Sequence, residues 1–179
     1  MKSIEAIKTL HKWDIKGRYL FRSRELGLLF DESGNTLRQT IKRLLADGVL
    51  TRVARDVYLY AFRHSDRSLI GDIAVFMRPG EYTYESLESA ASQWGIISQI
   101  PLGRVTCVTT GKGGEVRTPF GVVDYAHTNT PIIELSEGAV DRMPRNALPI
   151  ATKERALSDL IAYDRSTELI DWEEAKSED

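Results

Sequence analysis

One stretch, residues 23–61, constrains the fold of this chain more than any other. The run from Ser23 to Phe30 predicts a short helix, which Ser23 can cap. After a polar break, the run from Thr36 to Ala46 predicts a second helix. Two short runs of β-branched and aromatic residues, 49–53 and 57–61, then read as strands joined by a tight turn. Two helices followed by a hairpin is the order of elements in a winged helix-turn-helix, which is the arrangement that we predict.

The second helix of this stretch has one apolar face and one polar face. The apolar residues recur at helical spacing and are expected to pack inward: Leu37, Ile41, Leu44 and Leu45. The remaining positions carry residue types that suit base edges and phosphates: Asn35, Thr36, Arg38, Gln39, Lys42 and Arg43. Since Asn and Gln can pair bidentately with adenine, and Arg with guanine, this face is predicted to contact DNA. A solvated helix face would have the same composition, so the helix alone leaves both interpretations open.

The predicted hairpin favours the DNA interpretation. Arg52 and Arg55 flank its tip, where side chains can reach the DNA backbone or the minor groove. We therefore assign Gln39, Lys42 and Arg43 to base or groove contacts. Arg38 joins Arg52 and Arg55 in contacting phosphates.

Charge is divided unevenly along the chain. Residues 1–63 contain 13 Lys and Arg against 7 Asp and Glu, a net charge of +6, and the remaining residues carry −8. Phosphate contacts supply most of the non-specific affinity for DNA, so a basic N-terminal region is expected at the DNA-facing end. The acidic remainder would repel DNA and is expected to face solvent, another domain or a protein partner.

A polar, turn-prone segment after the hairpin separates two predicted domains, residues 1–64 and 65–179. Before the helix-turn-helix, a first helix is predicted from Ser3 to about Trp13, with Ile4, Ile7 and Leu10 inward and His11 as a further candidate for the inward face. Residues 19–21 are expected to lead into the next helix.

The second domain is predicted to be α+β, with a small antiparallel sheet and helices on one side. Thr83 is expected to cap a helix that runs to about Trp94, and Thr152 to cap one that runs to about Tyr163. Alternating runs at 105–110 and 116–128 predict strands. Gly111 to Gly114 is interpreted as their hairpin connection, with a second turn at Pro119 to Gly121. Residues 69–76 fit either a helix or a buried strand.

The sequence predicts neither a catalytic site nor a cofactor. Gly111-Lys112-Gly113-Gly114 lacks the spacing of a phosphate-binding Walker motif. The three histidines, His11, His64 and His127, show no metal-ligand spacing, so no metal site is predicted. Cys107 lies among apolar residues and is interpreted as a small core residue. The chain is therefore predicted not to be an enzyme.

Membrane association and secretion are also not predicted. No apolar run reaches the 18 residues of a membrane-spanning candidate, and the N-terminus is too charged for a signal peptide. With a single cysteine, the chain is expected to be a cytoplasmic protein.

Several short motifs beyond the hairpin resemble those of the AbiEi family of antitoxins. Residues 82–90 and 94–97 are similar to the family pattern Y-x-S-x-x-S-A-L-x-x-x-G, and residues 150–160 to the helix A-x-x-E-[KR]-A-L-x-D. Further similar pieces lie at 105–111, 118–121 and 125–128. With the N-terminal region, the resemblance covers about residues 3 to 165, and the order and spacing of the motifs make it more specific than any one of them.

This resemblance implies the antitoxin of a type IV toxin–antitoxin pair, connected with abortive infection and phage defence. Such antitoxins combine a winged helix-turn-helix, which represses their own operon at inverted repeats in double-stranded DNA, with a C-terminal domain. That domain counters a nucleotidyltransferase-like toxin, either by direct contact or by a functional effect. The alternative that the sequence leaves open is a protein-interaction module that uses the winged fold without binding DNA.

Overall fold

The computed structural model describes residues 1–177 and divides the chain into two compact units, residues 1–66 and the residues from Arg67 onward. Helices and strands are mixed in both units, so the chain has an α+β fold. Across residues 1–177, none of the helices has the length and apolar character needed to cross a membrane.

The N-terminal unit consists of three helices and a three-stranded antiparallel sheet. Its elements are α1 (Ser3–Asp14), β1 (Leu20–Arg22), α2 (Ser23–Phe30), α3 (Gly34–Ala46), β2 (Leu50–Ala54) and β3 (Val57–Tyr60). The strand order is β1-β3-β2, so that β3 lies in the middle and pairs Leu59 with both Leu20 and Thr51. The helices bury one apolar stripe each, with Leu10, Leu26 and Leu44 fully enclosed.

Three expectations about this unit are corrected by the structure. Ile4 is 69 % exposed, because Ala6 and Leu10 face inward from α1 instead. Residues 20–22 form an edge strand on β3 and do not simply lead into a helix. Ser23 is the first residue of α2, not its cap: the backbone N–H of Arg22 donates to Glu25 Oε2 at 2.7 Å, which fixes the start of the helix.

The second unit contains six strands and five helices among its described residues. The strands are β4 (Thr83–Glu85), β5 (Arg104–Thr109), β6 (Gly114–Thr118), β7 (Gly121–His127), β8 (Ala139–Val140) and β9 (Ile150–Ala151). The helices are α4 (Leu69–Phe76), α5 (Leu87–Gln93), α6 (Ile132–Glu137), α7 (Lys153–Ala162) and α8 (Trp172–Lys176), with a 3₁₀ turn at Thr167–Leu169. The segment that suited either a helix or a strand is thus the helix α4.

The sheet of this unit is mixed, whereas a small antiparallel sheet was predicted. Its order is β6-β7-β5-β4-β9-β8; the pairs β5–β7 and β4–β9 are parallel, and the central pair β5–β4 is antiparallel. The predicted hairpin across Gly111 to Gly114 is therefore wrong, because β7 lies between β5 and β6. The turn predicted at Pro119 to Gly121 is confirmed as the connection of the antiparallel pair β6–β7. Alternation identifies strands but does not choose their neighbours.

One helix start was predicted correctly and one was not. Thr152 caps α7, where its hydroxyl accepts from the backbone N–H of Arg155 at 3.2 Å. Thr83 instead belongs to β4, and α5 begins only after Ser86. The hydroxyls of Thr83 and Thr109 are 2.8 Å apart across the β4–β5 pair, a cross-strand contact that suits a β-branched residue in a sheet.

The core of the second unit joins the sheet to α5 and α7. Tyr84, Leu87, Ile96, Val108 and Leu160 are among its buried residues. Cys107 is also fully buried, and burial raises the pKa of its thiol well above the ordinary value. The interpretation of Cys107 as a core residue agrees with this position.

Candidate nucleic-acid interface

The turn between α2 and α3 brings the two helices into close contact. Asp31 adopts the left-handed conformation at φ 52° and ends α2, and the backbone N–H of Glu32 donates to the Gly27 carbonyl at 3.0 Å. A Cβ atom on Gly27 would lie 2.8 Å from the Glu32 carbonyl oxygen, which is too close. Gly27 is therefore required by the approach of the turn to α2, and it sets the angle at which α3 leaves.

The outer face of α3 is exposed along its length. Ile41 and Leu44 are buried and Leu37 and Leu45 are half-buried, as the predicted apolar stripe requires. All eight residues assigned to DNA contacts are exposed: Asn35, Thr36, Arg38, Gln39, Lys42, Arg43, Arg52 and Arg55. Asn35, Gln39 and Lys42 follow each other at helical spacing opposite the buried stripe. Helix α3 contains three basic residues and no carboxylate, so this face combines hydrogen-bonding groups with positive charge.

A groove beside α3 connects this face to the hairpin. Its walls carry the polar groups of Ser23, Arg38, Lys42 and Tyr58, and side chains of the apolar stripe line its base. The Asp56 carboxylate, at the tip of the β2–β3 hairpin, accepts from the backbone N–H of Ser23 at 3.2 Å. The hairpin turn is thereby attached to the start of α2, and one side of the groove is fixed relative to the other.

Two of the predicted residues are engaged elsewhere in the unit. The Arg43 guanidinium donates to the carbonyl oxygen of Met1, and so lies on the flank of α3 that faces the start of α1. Nearby, the Ser3 hydroxyl donates to Asp47 at 2.7 Å. Arg52 Nε lies 3.4 Å from the carbonyl oxygen of Ala54, at the irregularity in the pairing of β2. The structure thus groups Arg38, Gln39 and Lys42 and places Arg43 apart from them.

A carboxylate on the same side as Arg43 is held in its charged form. Hydrogen bonds from the Met1 amino group and, next in size, from Thr40 lower the pKa of Glu32 below its ordinary value. The contact with Met1 also ties the α2–α3 turn to the beginning of α1. This flank of α3 serves packing within the unit, and the opposite flank lines the groove.

Sequence reasoning did not identify Ser23 and Tyr58 as part of this surface. Ser23 was interpreted only as a helix cap, and Tyr58 only as a strand residue. Their position in the groove depends on the β1-β3-β2 order, which brings β3 beside the start of α2. An alternation of buried and exposed residues along β3 would have indicated which of its side chains face outward. All four of its side chains are buried or nearly so, and no such alternation appears.

The comparisons with known proteins give little beyond the fold. No family model matches the chain. No curated protein matches it either. Among solved structures, the crystal structure of the RV2827C protein from Mycobacterium tuberculosis is similar to 84 % of this chain, with a TM-score of 0.54 and 15 % sequence identity. The match covers 58 % of that protein's chain, so the present chain corresponds to less than two thirds of its length.

Proposed function

We propose that this chain is a DNA-binding autorepressor and the antitoxin of a type IV toxin–antitoxin operon. In this proposal the N-terminal unit is a winged helix-turn-helix that binds inverted repeats in its own promoter. The second unit counteracts a nucleotidyltransferase-like toxin. The observation that carries the proposal is the exposed face of α3, where Asn35, Gln39 and Lys42 stand in line on a helix without a carboxylate.

The order of elements in the N-terminal unit supports the winged assignment. Three helices and a three-stranded antiparallel sheet follow each other as α1, β1, α2, α3, β2 and β3, which is the order of that fold. Helix α3 would then enter the major groove, and the β2–β3 hairpin would be the wing. The attachment of the hairpin tip to Ser23 supports a wing held at a fixed distance from α3.

The proposed DNA contacts divide into those with base edges and those with the phosphate backbone. Gln39 and Asn35 offer amide groups that pair bidentately with adenine. Arg38, Lys42 and Arg55 are exposed and form no ion pair with any of residues 1–177, so their charge is available to phosphates. Arg43 can join them only by giving up its bond to the Met1 carbonyl. We therefore assign base contacts first to Gln39.

The antitoxin part of the proposal rests on the resemblance to the AbiEi family. Two of the similar motifs meet inside the second unit: the hydroxyls of Tyr84 and Ser86 donate to Asp159 at 2.9 and 2.6 Å. The motif residues thus belong to one buried hydrogen-bonded cluster that joins β4 to α7. This supports a shared architecture for the second unit, in which the motifs maintain the fold and other residues would face the toxin.

Fluorescence anisotropy on a labelled fragment of the native promoter tests DNA binding. At a fixed salt concentration, the full chain should bind the fragment at least about 1,000-fold more tightly than a scrambled duplex. A triple variant, Arg38→Ala, Gln39→Ala and Lys42→Ala, should lose that preference. Arg145→Ala, which removes an exposed charge from the second unit, serves as the matched control and should bind normally. If the triple variant binds the promoter fragment as tightly as the unmodified chain does, α3 is not the helix that contacts the bases.

A separate experiment tests the antitoxin function. We expect a nucleotidyltransferase-like gene beside the one that encodes this chain. That gene is expressed from an inducible promoter, and growth is followed with and without the full chain. The full chain should restore growth, and the triple α3 variant should also restore it while failing to repress a promoter–reporter fusion. If the chain represses the reporter but never restores growth, the antitoxin function is rejected and the repressor function stands. If it binds no DNA at all, the interaction-module alternative is favoured.

A further inference from the structure

Two histidines that are far apart in the sequence meet one aspartate in the N-terminal unit. His11 and Asp14 lie one turn apart near the end of α1, and His64 lies in the segment that follows β3. Each residue offers one ligand atom, and these three atoms all lie within 4.8 Å of one another. The rings of His11 and His64 are tilted at 58° to each other, with their centroids 5.1 Å apart.

Asp14 is the buried member of this cluster. Its residue is 4 % exposed, and its Oδ2 atom accepts from both the backbone N–H of His64 at 3.0 Å and the ring Nδ1 of His64 at 2.7 Å. Its charge also reaches Tyr60, whose pKa is raised first by burial and then by Asp14. A buried carboxylate needs compensation by a cation or by several donors, and His64 provides both of the donors that face Asp14 here.

The other two ligands remain accessible to solvent. His64 has a side chain that is 70 % exposed, and His11 is partly exposed on the surface of α1. An ion can therefore enter without opening the core. One carboxylate oxygen and two imidazole nitrogens make a set of three protein ligands, the number that an open zinc site completes with water.

We propose that His11, Asp14 and His64 bind a divalent transition-metal ion of the zinc class. Two imidazole nitrogens and one carboxylate oxygen are the donors that Zn²⁺, Co²⁺ and Ni²⁺ prefer, whereas Mg²⁺ and Ca²⁺ prefer oxygen ligands alone. With metal–ligand bonds of about 2.0–2.2 Å, donor atoms around a tetrahedral ion lie roughly 3.3 Å apart. The His64 ring would therefore withdraw from Asp14 by about 0.6 Å on binding.

The ion would connect the end of α1 to the segment that follows the last strand of the unit. Because only the folded unit brings these residues together, binding adds to its stability by mass action. This inference does not depend on DNA binding or on the antitoxin function. It also differs from the expectation drawn from sequence spacing, since residues 11 and 64 meet only through the tertiary fold.

Calorimetric titration of the full chain, prepared without an affinity tag of histidines, tests the site. With ZnCl₂ in a chelator-free buffer at fixed pH, we expect saturable binding of one ion per chain, and no binding of MgCl₂. His11→Ala and His64→Ala should each weaken zinc binding at least about tenfold. His127→Ala removes the third histidine of the chain, which lies in the second unit, and is the matched control with unchanged affinity.

Two further measurements keep the test independent of folding defects in the variants. In the unmodified chain, zinc should shift the ring proton resonances of His11 and His64 and leave those of His127 in place. It should also raise the midpoint of thermal unfolding by at least about 5 °C in the unmodified chain and in His127→Ala, and EDTA should reverse this. The absence of saturable binding, or full affinity in either His11→Ala or His64→Ala, would overturn the shared site.

Discussion

Two sets of basic side chains, one in each unit of this protein, are used in opposite ways. In the second unit, Arg142 Nη2 lies 2.6 Å from Glu85, and Arg165 bridges Glu88 and Asp124, each at 3.0 Å. In the N-terminal unit, Arg38 and Lys42 are exposed and form no ion pair with any residue in the described range 1–177. Arg142 and Arg165 are thus neutralised by partners within the second unit, whereas Arg38 and Lys42 of the N-terminal unit keep their charge in solvent.

This difference separates stability from binding. A buried carboxylate such as Glu85 needs its arginine, because an unpaired charge in a protein interior is expensive. An exposed lysine or arginine on a helix contributes little to folding and can interact with an external anion at no cost to the core. Substitution of a paired arginine in the second unit should therefore lower stability, and substitution of Arg38 or Lys42 on α3 should change affinity alone.

The largest effect is expected from Arg142→Ala. Glu85 is 4 % exposed and also accepts from Gln93 Nε2 at 2.6 Å, so removal of Arg142 leaves a buried carboxylate with a single neutral donor. Denaturant titration should show a loss of about 2–4 kcal/mol in the free energy of unfolding, below the range for a fully enclosed pair because Arg142 is partly exposed. Arg145→Ala, three residues away and exposed, is the control and should be nearly neutral.

Restoring charge balance sharpens this test. The double variant Glu85→Gln with Arg142→Ala removes the carboxylate charge together with its partner and should recover part of the lost stability. If Glu85→Gln destabilises Arg142→Ala as much as it destabilises the unmodified chain, Glu85 and Arg142 are not coupled. The contrast between the units then weakens.

Gly27→Ala tests whether the α2–α3 turn of the N-terminal unit depends on close packing. The added Cβ would meet the Glu32 carbonyl at 2.8 Å and Leu37 Cδ2 at 3.1 Å, so the turn must shift. Alanine favours helix, but the contact with backbone atoms should dominate and destabilise the unit by about 1–3 kcal/mol. The midpoint of thermal unfolding reports the change. An increase in that midpoint would show that the turn tolerates displacement.

The sequence predicted local elements better than their arrangement. Leu37, Ile41 and Leu44 recur at helical spacing, which is a property of α3 alone, and the structure buries Ile41 and Leu44 and half-buries Leu37. The parallel pairing of β5 with β7 depends on contacts between residues distant in the chain, and a glycine-rich connection at 111–114 is compatible with more than one pairing. Thr83 illustrates the same limit, since threonine suits both a helix cap and a strand.

The candidate interface was likewise predictable where it depends on local helical spacing and not where it depends on tertiary contacts. Helical spacing places Gln39 and Lys42 on the outer face of α3, and both are exposed there. The bond between Arg43 and the Met1 carbonyl required the tertiary contact of α3 with α1, which no local pattern reveals. The meeting of His11 with His64 is likewise a property of the whole unit.

Gln39→Ala should affect one DNA sequence more than others. If the amide pairs with a base, its loss costs about 1.4 kcal/mol, roughly tenfold, on the native promoter fragment. Affinity for a scrambled duplex should stay within about twofold, because phosphate contacts are retained. Anisotropy titrations of both duplexes at one salt concentration provide the comparison. A parallel loss on both duplexes would place Gln39 among the backbone contacts and leave base reading to its neighbours on α3.

The smallest effect is expected from Lys42→Ala, and it bears most directly on the comparison of the units. A lysine that binds one phosphate releases about one counterion, so its loss should flatten the slope of log K against log salt by about 1 and weaken all duplexes alike. Because Lys42 forms no ion pair within residues 1–177, the free energy of unfolding should change by less than about 0.5 kcal/mol. A loss of stability comparable to that of Arg142→Ala would mean that the charge of Lys42 supports the fold. An unchanged salt slope with normal stability would mean that it serves neither the fold nor the DNA.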